Sequence, residues 1–559
     1  MNRLLIIFIF FFCLNSFGQK NLYLKISTEN ESQNKIIDSI GYSKSFTNAK
    51  GVVDETKLFS EKLLKIGFLE QEIIESKKEN DSTFLYLYTI GVKTKFIHIY
   101  IGKDFEDKNW SIYESKNDTL KLPFSESEAF LNSTLKKLES NGFSMAKIKL
   151  NNLKNQKGIV TADLNIYKEQ KRQLNDIVIN GYDKFPEGHK KNLNRVYRKR
   201  VFNQDNLEKL YKDIEKYRFV KQTKYPEILF TKDSTKVFVY LEKTKANNFD
   251  GLIGFSNNEN SKVIFNGYLD LTLNNILNSG EKLALYWKSN GEDQKTFNLG
   301  VELPYIFKSP LGLKAQLNIF KQDSTFQNTQ TSIDLGYFFN YNTRLYLGYQ
   351  SAESSDIGNL NTSTLSDFKN KFTTSTFEFV DFNNESSSDE FLFPEKTNLS
   401  LKIGTGSRDS KFQSNSQFFG NLNLRHDFYL NNKNIVNIKT QNFYLQSEEY
   451  IINELHRFGG INSIRGFNEN SLQANAFSSI LTEYRYVLSP SIYVHSIIDY
   501  GYFQDKTTNT NGNLLGLGFG FGLLTKNGLF NLVYANGSTN DQAIKLSNSI
   551  VHISLKANF

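Results

Sequence analysis

Apolar and polar residues alternate strictly at the end of the chain: Val551, Ile553, Leu555, Ala557 and Phe559 interleave with His552, Ser554, Lys556 and Asn558. A period of two puts the first set on one face of a strand and the second set on the other. Similar segments recur from Phe249 onward, separated by Asn, Gly, Ser, Pro and Asp. Repetition of this kind is the signature of a transmembrane β-barrel with one face to lipid and one to a polar lumen. The candidate strands start near residues 249, 262, 279, 294, 311, 325, 342, 372, 396, 415, 434, 475, 490, 513, 527 and 548. Sixteen is an even number, as antiparallel closure of one chain requires. Connections after even strands should then be short, as at 308–312, 340–343, 431–434, 489–491 and 526–528. The long connections 351–371 and 447–475 follow strands seven and eleven, whereas 383–395, after strand eight, is too long for the scheme.

Between residues 21 and 245 the pattern changes. Strand, helical stretch and paired strands follow one another three times, at a period of about 75 residues that marks a repeated module. In the first unit, 22–27 alternates, 55–67 has helical spacing through Leu58, Leu63, Leu64 and Ile66, and 84–91 returns as strand. The second runs from 96–101 through a helix to 148–153 and 160–167. Ser125, with Glu128 three residues on, predicts a capping box at that helix start. The third unit begins with a strand at 176–181, continues through helical stretches at 193–200 and 204–217, and closes with 237–242. Two helices end in related words, KIGF at 65–68 and SNGF at 140–143, where glycine closes a left-handed cap and the phenylalanine folds back. The basic run His189, Lys190, Lys191, Arg195, Arg198, Lys199 and Arg200 reads as a solvated helix face, with a specific anionic site as the other possibility.

Composition supports strands: 48 Phe and 29 Tyr stand against 2 Met and 7 Pro, and aromatic residues fit a pleated surface. Arg3, an apolar run over 4–14 and the exit Ser16, Phe17, Gly18 predict a secretory signal peptide at 1–18, too short to span a bilayer as a helix. Cys13 is the only cysteine, so the exported chain is expected to lack disulfides and thiol metal sites. Charge divides the chain. Residues 1–246 carry 43 Lys and Arg against 31 Asp and Glu, and residues 247–559 carry 24 against 28, which argues for two architectures. Export argues against nucleic acid as the partner of the basic half, which leaves unfolded clients and lipid headgroups. No enzyme is expected, because the six histidines show no ligand spacing and neither G-x-S-x-G nor a phosphate-binding glycine loop occurs. No cofactor is expected either.

The connection after strand eleven carries Arg457-Phe458-Gly459-Gly460-Ile461-Asn462-Ser463-Ile464-Arg465-Gly466-Phe467. In strand twelve Glu483 faces away from the lipid-facing Thr482, Tyr484 and Tyr486, and in strand thirteen Asp499 faces away from Ile498 and Tyr500. With a tight turn near Pro490, the two acids share the lumen face within one diagonal of each other. Arg465 can bridge them with its planar fork if its loop folds inward. From the residues alone, Arg465 is either this clamp or an ordinary loop arginine, and Arg485 competes for Glu483. Gly251 and Gly254 in the first strand either weaken the seam with the last strand, which ends at Phe559, or only relieve curvature.

In its Gly459-Gly460, Ser463 and Ile464-Arg465-Gly466-Phe467 residues, and in their place between strands eleven and twelve, the chain resembles the BamA/TamA superfamily of outer-membrane assembly and secretion proteins. Asp499-Tyr500-Gly501 is similar to that family's D-x-G. The resemblance implies an α+β plus barrel fold: three POTRA-like periplasmic modules at 21–92, 93–171 and 172–245, then a 16-stranded transmembrane β-barrel at 247–559. It implies that Arg465 is held by Glu483 and Asp499, and that the seam is a lateral gate that a client strand joins. The expected location is the bacterial outer membrane. The expected partners are its lipid, unfolded outer-membrane or secreted clients, and a periplasmic or inner-membrane protein reached through the modules. Three modules make the layout closest to the TamA type. A two-partner-secretion pore, which usually has two modules and an N-terminal plug helix, and a passive structural barrel are the rival readings.

Overall fold

The structure is a computed structural model that describes residues 21–102, 114–116, 118–156, 158–257, 263–290, 294–359, 361–383, 392–525, 528–540 and 549–558. The expected signal peptide and Phe559 lie outside these residues.

In the first module Leu22–Thr28 and Thr83–Thr89 run parallel at the centre of a sheet, with Ser45–Phe46 and Glu72–Lys78 at its edges. Helices Glu31–Ile40 and Ala49–Lys65 cover one face, and Leu24, Ile26, Val52, Phe59, Leu63 and Tyr88 form the core. Asn30 and Asn48 cap the two helices by accepting from Ser32 N and Gly51 N, both at 2.9 Å. The first helix and the edge strand were not expected. Glu72–Lys78 is exposed on both faces and so has no alternation to read.

In the second module the sheet order is Glu114–Lys116, Thr119–Pro123, Phe96–Tyr100, Ile159–Tyr167, Lys147–Gln156. Its helix corrects the capping expectation. A 3-10 turn, Phe124–Glu126, precedes the α-helix Ser127–Ser140, and no side chain caps the start. Pro123 sets the entry, and Ser127 donates through Oγ to Phe124 O at 2.7 Å, so a hydroxyl serves the tight turn instead of the Ser125 box. Both glycine caps form as expected. Gly67 and Gly142 have φ of 104° and 98°, and Phe68 N and Phe143 N reach back to Leu63 O and Leu138 O at 3.0 Å.

The third module pairs Leu174–Asn180 in parallel with Thr235–Lys243, which pairs in turn with Val220–Phe230. Helices Glu187–Tyr197 and Gln204–Glu215 pack over it through Leu193, Tyr197, Leu207, Leu210 and Ile214. The basic run is not wholly solvated, because His189 is fully buried among aromatic rings.

Among the described residues sixteen antiparallel strands close the barrel. We label them β1 Asn248–Asn257, β2 Val263–Asn274, β3 Lys282–Asn290, β4 Gln294–Leu303, β5 Leu311–Gln322, β6 Phe326–Phe338, β7 Thr343–Asp356 and β8 Phe368–Phe382. The remainder are β9 Glu395–Ser410, β10 Ser414–Asn431, β11 Asn434–Gln446, β12 Ala476–Ser489, β13 Ile492–Asp505, β14 Thr510–Thr525, β15 Gly528–Thr539 and β16 Ile550–Asn558. They begin where the alternation placed them, apart from small shifts such as Phe368 in place of residue 372. Ile333, Leu335 and Tyr337 of β6 and Leu345, Leu347 and Tyr349 of β7 point outward, while Asp334, Gln350 and Thr376 are buried inside. That division lets the outer face meet lipid while polar groups line the lumen.

The third module sits on the short-turn end of the barrel. Tyr182 OH accepts from Asn275 Nδ2 at 3.0 Å and donates to Asn278 Oδ1 at 3.2 Å in the β2–β3 turn. Asn192 Nδ2 reaches Ser309 O at 3.1 Å, and Arg195 Nη2 reaches Phe338 O at 3.3 Å. His189 is the central peg, between Tyr217 and Phe219 of its own module and Tyr305 and Tyr341 of two barrel turns, with ring centroids 4.8 to 5.8 Å away. Gly280 makes the fit possible, since a Cβ there would meet His189 Cε1 at 1.9 Å.

Candidate functional site

The β11–β12 connection folds into the lumen. Its limbs, His456–Phe458 and Leu472–Ala474, pair antiparallel and carry the motif at their tip. Gly459, Gly460 and Gly466 have φ of 105°, 99° and 88°, and each lies where a Cβ would strike backbone: Asn468 O, Glu469 Cα and Asn536 C. Ser463 N donates to Gly460 O and Gly460 N to Ile464 O, both at 3.1 Å, closing the turn. Ile464 is fully buried against Phe458, Phe477, Leu481 and Leu514, and Phe467 packs at the edge of this cluster.

The wall is shaped to receive this tip. On β13 a Cβ at Gly501 would meet Ile464 Cδ1 at 2.2 Å, and on β14 one at Gly516 would meet Arg465 O at 2.3 Å. On β15 one at Gly537 would meet Gly466 O at 2.5 Å. The glycine of Asp499-Tyr500-Gly501 therefore makes room for the residue before Arg465.

Arg465 and Asp499 are 5% and 0% exposed. Arg465 Nε donates to Asp499 Oδ2 at 2.8 Å and Nη2 to Oδ1 at 2.6 Å, a bidentate pair, and its main-chain N adds a bond to Oδ2 at 3.0 Å. Its Nη1 pairs with Glu483. The register Leu481↔Asp499 places the two acids on one diagonal of β12 and β13. Arg485 also binds Glu483, at 2.8 Å through Nε, and reaches Asp427 on β10 at 3.2 Å. Arg485 thus continues the chain of charges instead of displacing Arg465.

Three parts of this site escaped sequence reasoning. Asp427, in the middle of β10, gave no signal beyond being a lumen-facing acid. Glu469, on the returning limb, pairs with Lys288 and accepts from Tyr286 OH at 3.0 Å, tying the loop to β3. The third lies at the end of the misfitting β8–β9 connection, where Leu392 and Phe393 are buried with Ile435, Val487 and Tyr493. The Phe393 ring lies 4.5 Å from the Arg485 guanidinium and 4.8 Å from the Tyr493 ring. The signal was available: Phe391-Leu392-Phe393-Pro394 is an apolar word in a segment too long for a turn. Asn383 N closes the segment on Pro394 O at 3.1 Å.

At the seam, only Asn248, Phe249 and Asp250 pair with β16 among the described residues, opposite Asn558, Ala557 and Lys556. β1 pairs with β2 along its whole length, from Asn248↔Thr272 to Asn257↔Val263. Gly251 is the first residue of β1 beyond the seam pairing and Gly254 follows it. Among the described residues no cluster of three His, Cys, Asp or Glu side chains is placed to hold a metal ion. The arrangement is a clamp between a loop and a wall, and the side chains that hold it are ion pairs and packing groups.

Residues 275–545 match the Omp85 superfamily domain. Among curated proteins no relative matches the chain. Of solved structures, CdiB from Acinetobacter baumannii is 14% identical, with 78% of this chain and 83% of that chain covered and a TM-score of 0.52. CdiB from Escherichia coli is 12% identical, with 94% and 98% covered and a TM-score of 0.50. BamA from Haemophilus ducreyi lacking POTRA domains 1–3 is 14% identical, with 78% and 94% covered and a TM-score of 0.46. The CdiB superpositions establish a shared fold. The chain is thus a sixteen-stranded outer-membrane β-barrel preceded by α+β modules of the POTRA type, and the greater part of the barrel is similar to the Omp85 superfamily domain.

Proposed function

We propose that the protein assembles or translocates clients at the outer membrane, guiding extended segments with its modules and admitting them at the β1–β16 seam. The observation that carries this reading is the seam itself. Beyond Asp250↔Lys556, β1 has no described partner on the β16 side, while its other edge is fully paired. An unpaired edge in an otherwise closed barrel is a template on which an incoming strand completes its backbone hydrogen bonds. Gly251, just beyond the last seam pair, lowers the cost of opening there. The exposed edge strands Glu72–Lys78 and Val220–Phe230 offer the same chemistry to unfolded clients in the periplasm. No cofactor takes part.

The second reading is a two-partner-secretion pore, the kind of transporter to which CdiB belongs. The lumen weighs against it as the resting state, because the clamped loop and Phe393 both occupy the path. Depletion of the protein followed by outer-membrane and culture-medium proteomics separates the two. Loss of several unrelated barrels from the membrane supports assembly, and loss of one secreted protein alone supports the pore.

A further inference from the structure

The end of the barrel that carries the third module has a feature that client handling does not use. Helix Glu187–Tyr197 and the β4–β5 turn enclose an open cleft lined by Lys190, Lys191, Arg195, Arg198 and Lys308, with Glu187 the acid among the lining residues. Among the described residues no carboxylate lies within ion-pair range of these five cations. Beside the cleft the turn is strained: Tyr305, Phe307 and Lys308 have φ of 57°, 55° and 58°. Side chains rarely adopt that conformation three times in four residues, and such strain persists where the surroundings demand it. Here it holds Phe307 outward at 93% exposure while Tyr305 is buried against His189.

The level of the bilayer can be read from the neighbouring strand. The outward row Ile333, Leu335 and Tyr337 of β6 continues into the next turn as Phe339, whose ring is 5.2 Å from that of Tyr337. Arg195 is hydrogen-bonded to Phe338 O, one residue from the end of that row. The cations of the cleft therefore stand where lipid-facing surface gives way to the periplasm, and Phe307 and Phe339 stand where aromatic girdles meet lipid headgroups.

We propose that this cleft is a binding site for the headgroup of an anionic phospholipid of the periplasmic leaflet. Phe307 enters the acyl boundary, Lys308 flanks the phosphate from the barrel side, and Lys190, Lys191, Arg195 and Arg198 meet it from the third module. Bound there, one lipid bridges the module and the barrel through charges that are otherwise unneutralised. Lys191 and Arg198 are exposed and remote from the lumen clamp, so they can be changed without touching it.

The test uses the full-length protein, delipidated in neutral detergent. Phosphatidylglycerol and phosphatidylcholine are titrated separately and retention is followed by native mass spectrometry. Wild type should retain one phosphatidylglycerol in preference to phosphatidylcholine. Lys191→Gln with Arg198→Gln should lower that preference by on the order of tenfold, the effect expected for two surface cations. Phe307→Ser should weaken both lipids alike. Inorganic phosphate in excess should leave the bound lipid in place, and displacement by it would identify a free phosphate site instead. Equal retention of the two lipids by wild type, or unchanged preference in the doubly neutralised variant, overturns the proposal. So does capture of an acidic peptide by the cleft with no lipid preference.

Discussion

The main-chain amide and the guanidinium of Arg465 hold one carboxylate, that of Asp499, through bonds of 3.0, 2.8 and 2.6 Å. The loop is therefore fixed to β13 in position and orientation together. Asp499 is fully buried, so removing its partner strands a charge at low dielectric. We predict that Arg465→Ala costs about 3 to 5 kcal/mol and exposes the 447–475 connection to protease, while Arg465→Lys, which lacks the planar fork, restores part of the loss. Urea unfolding in micelles and limited proteolysis read the two effects separately. Unchanged stability and protection in Arg465→Ala would contradict the clamp.

The same loop should be displaced without touching a charge. Gly516→Ala and Gly537→Ala each place a methyl group against the loop backbone, at 2.3 and 2.5 Å, and should reproduce the protease sensitivity of Arg465→Ala. Gly420→Ala on β10 meets nothing within 4 Å and is the control. Equal behaviour of all three variants would show that the wall does not shape the loop.

Phe393 closes the floor beneath the charge network. Phe393→Ala should destabilise the barrel by about 3 kcal/mol through the cavity and the lost contact with Arg485, and should raise ion conductance in planar bilayers. Phe393→Leu should keep the conductance near wild type. A conductance unchanged by the alanine variant would remove Phe393 from the closed state.

His189 makes the attachment of the third module sensitive to acid. Burial, with the Arg344 guanidinium acting in the same direction, pushes the imidazole down from 6.5 to about 3. The docked state thus binds fewer protons than the undocked one across that interval, and stability is complete above pH 6.5 and falls as the pH drops toward 3. The slope should approach 1.4 kcal/mol for each pH unit, roughly. The facing hydroxyls of Tyr217, Tyr305 and Tyr341 stay protonated there, since burial raises each of them. Thermal unfolding between pH 7 and pH 4 should show the loss in wild type and a flatter profile in His189→Leu.

The barrel was legible because its strands repeat one physical rule, an apolar face alternating with a polar one, and because short turns follow the even strands other than β8. The Arg465 clamp was legible because parity along β12 and β13 puts Glu483 and Asp499 on the lumen face. What stayed hidden depends on tertiary contact. Glu72–Lys78 carries no pattern because neither face is buried. The Ser125 box failed because Pro123 favours a 3-10 entry. Phe393 is apolar in a loop, and only the fold reveals the Arg485 guanidinium beneath its ring. His189 was read with its basic neighbours because the aromatic residues that bury it lie near residues 217, 305 and 341 in the sequence.

Client entry at the seam between β1 and β16 can be tested by locking that seam. Phe249 and Ala557 face each other across it, and Cys13, within the expected signal peptide, is the only native cysteine. Phe249→Cys with Ala557→Cys should form a disulfide across the seam under oxidising conditions. The account predicts that the locked barrel folds and reaches the membrane but stops handling clients, and that reductant restores the activity. Full client handling by the oxidised, cross-linked protein would contradict it.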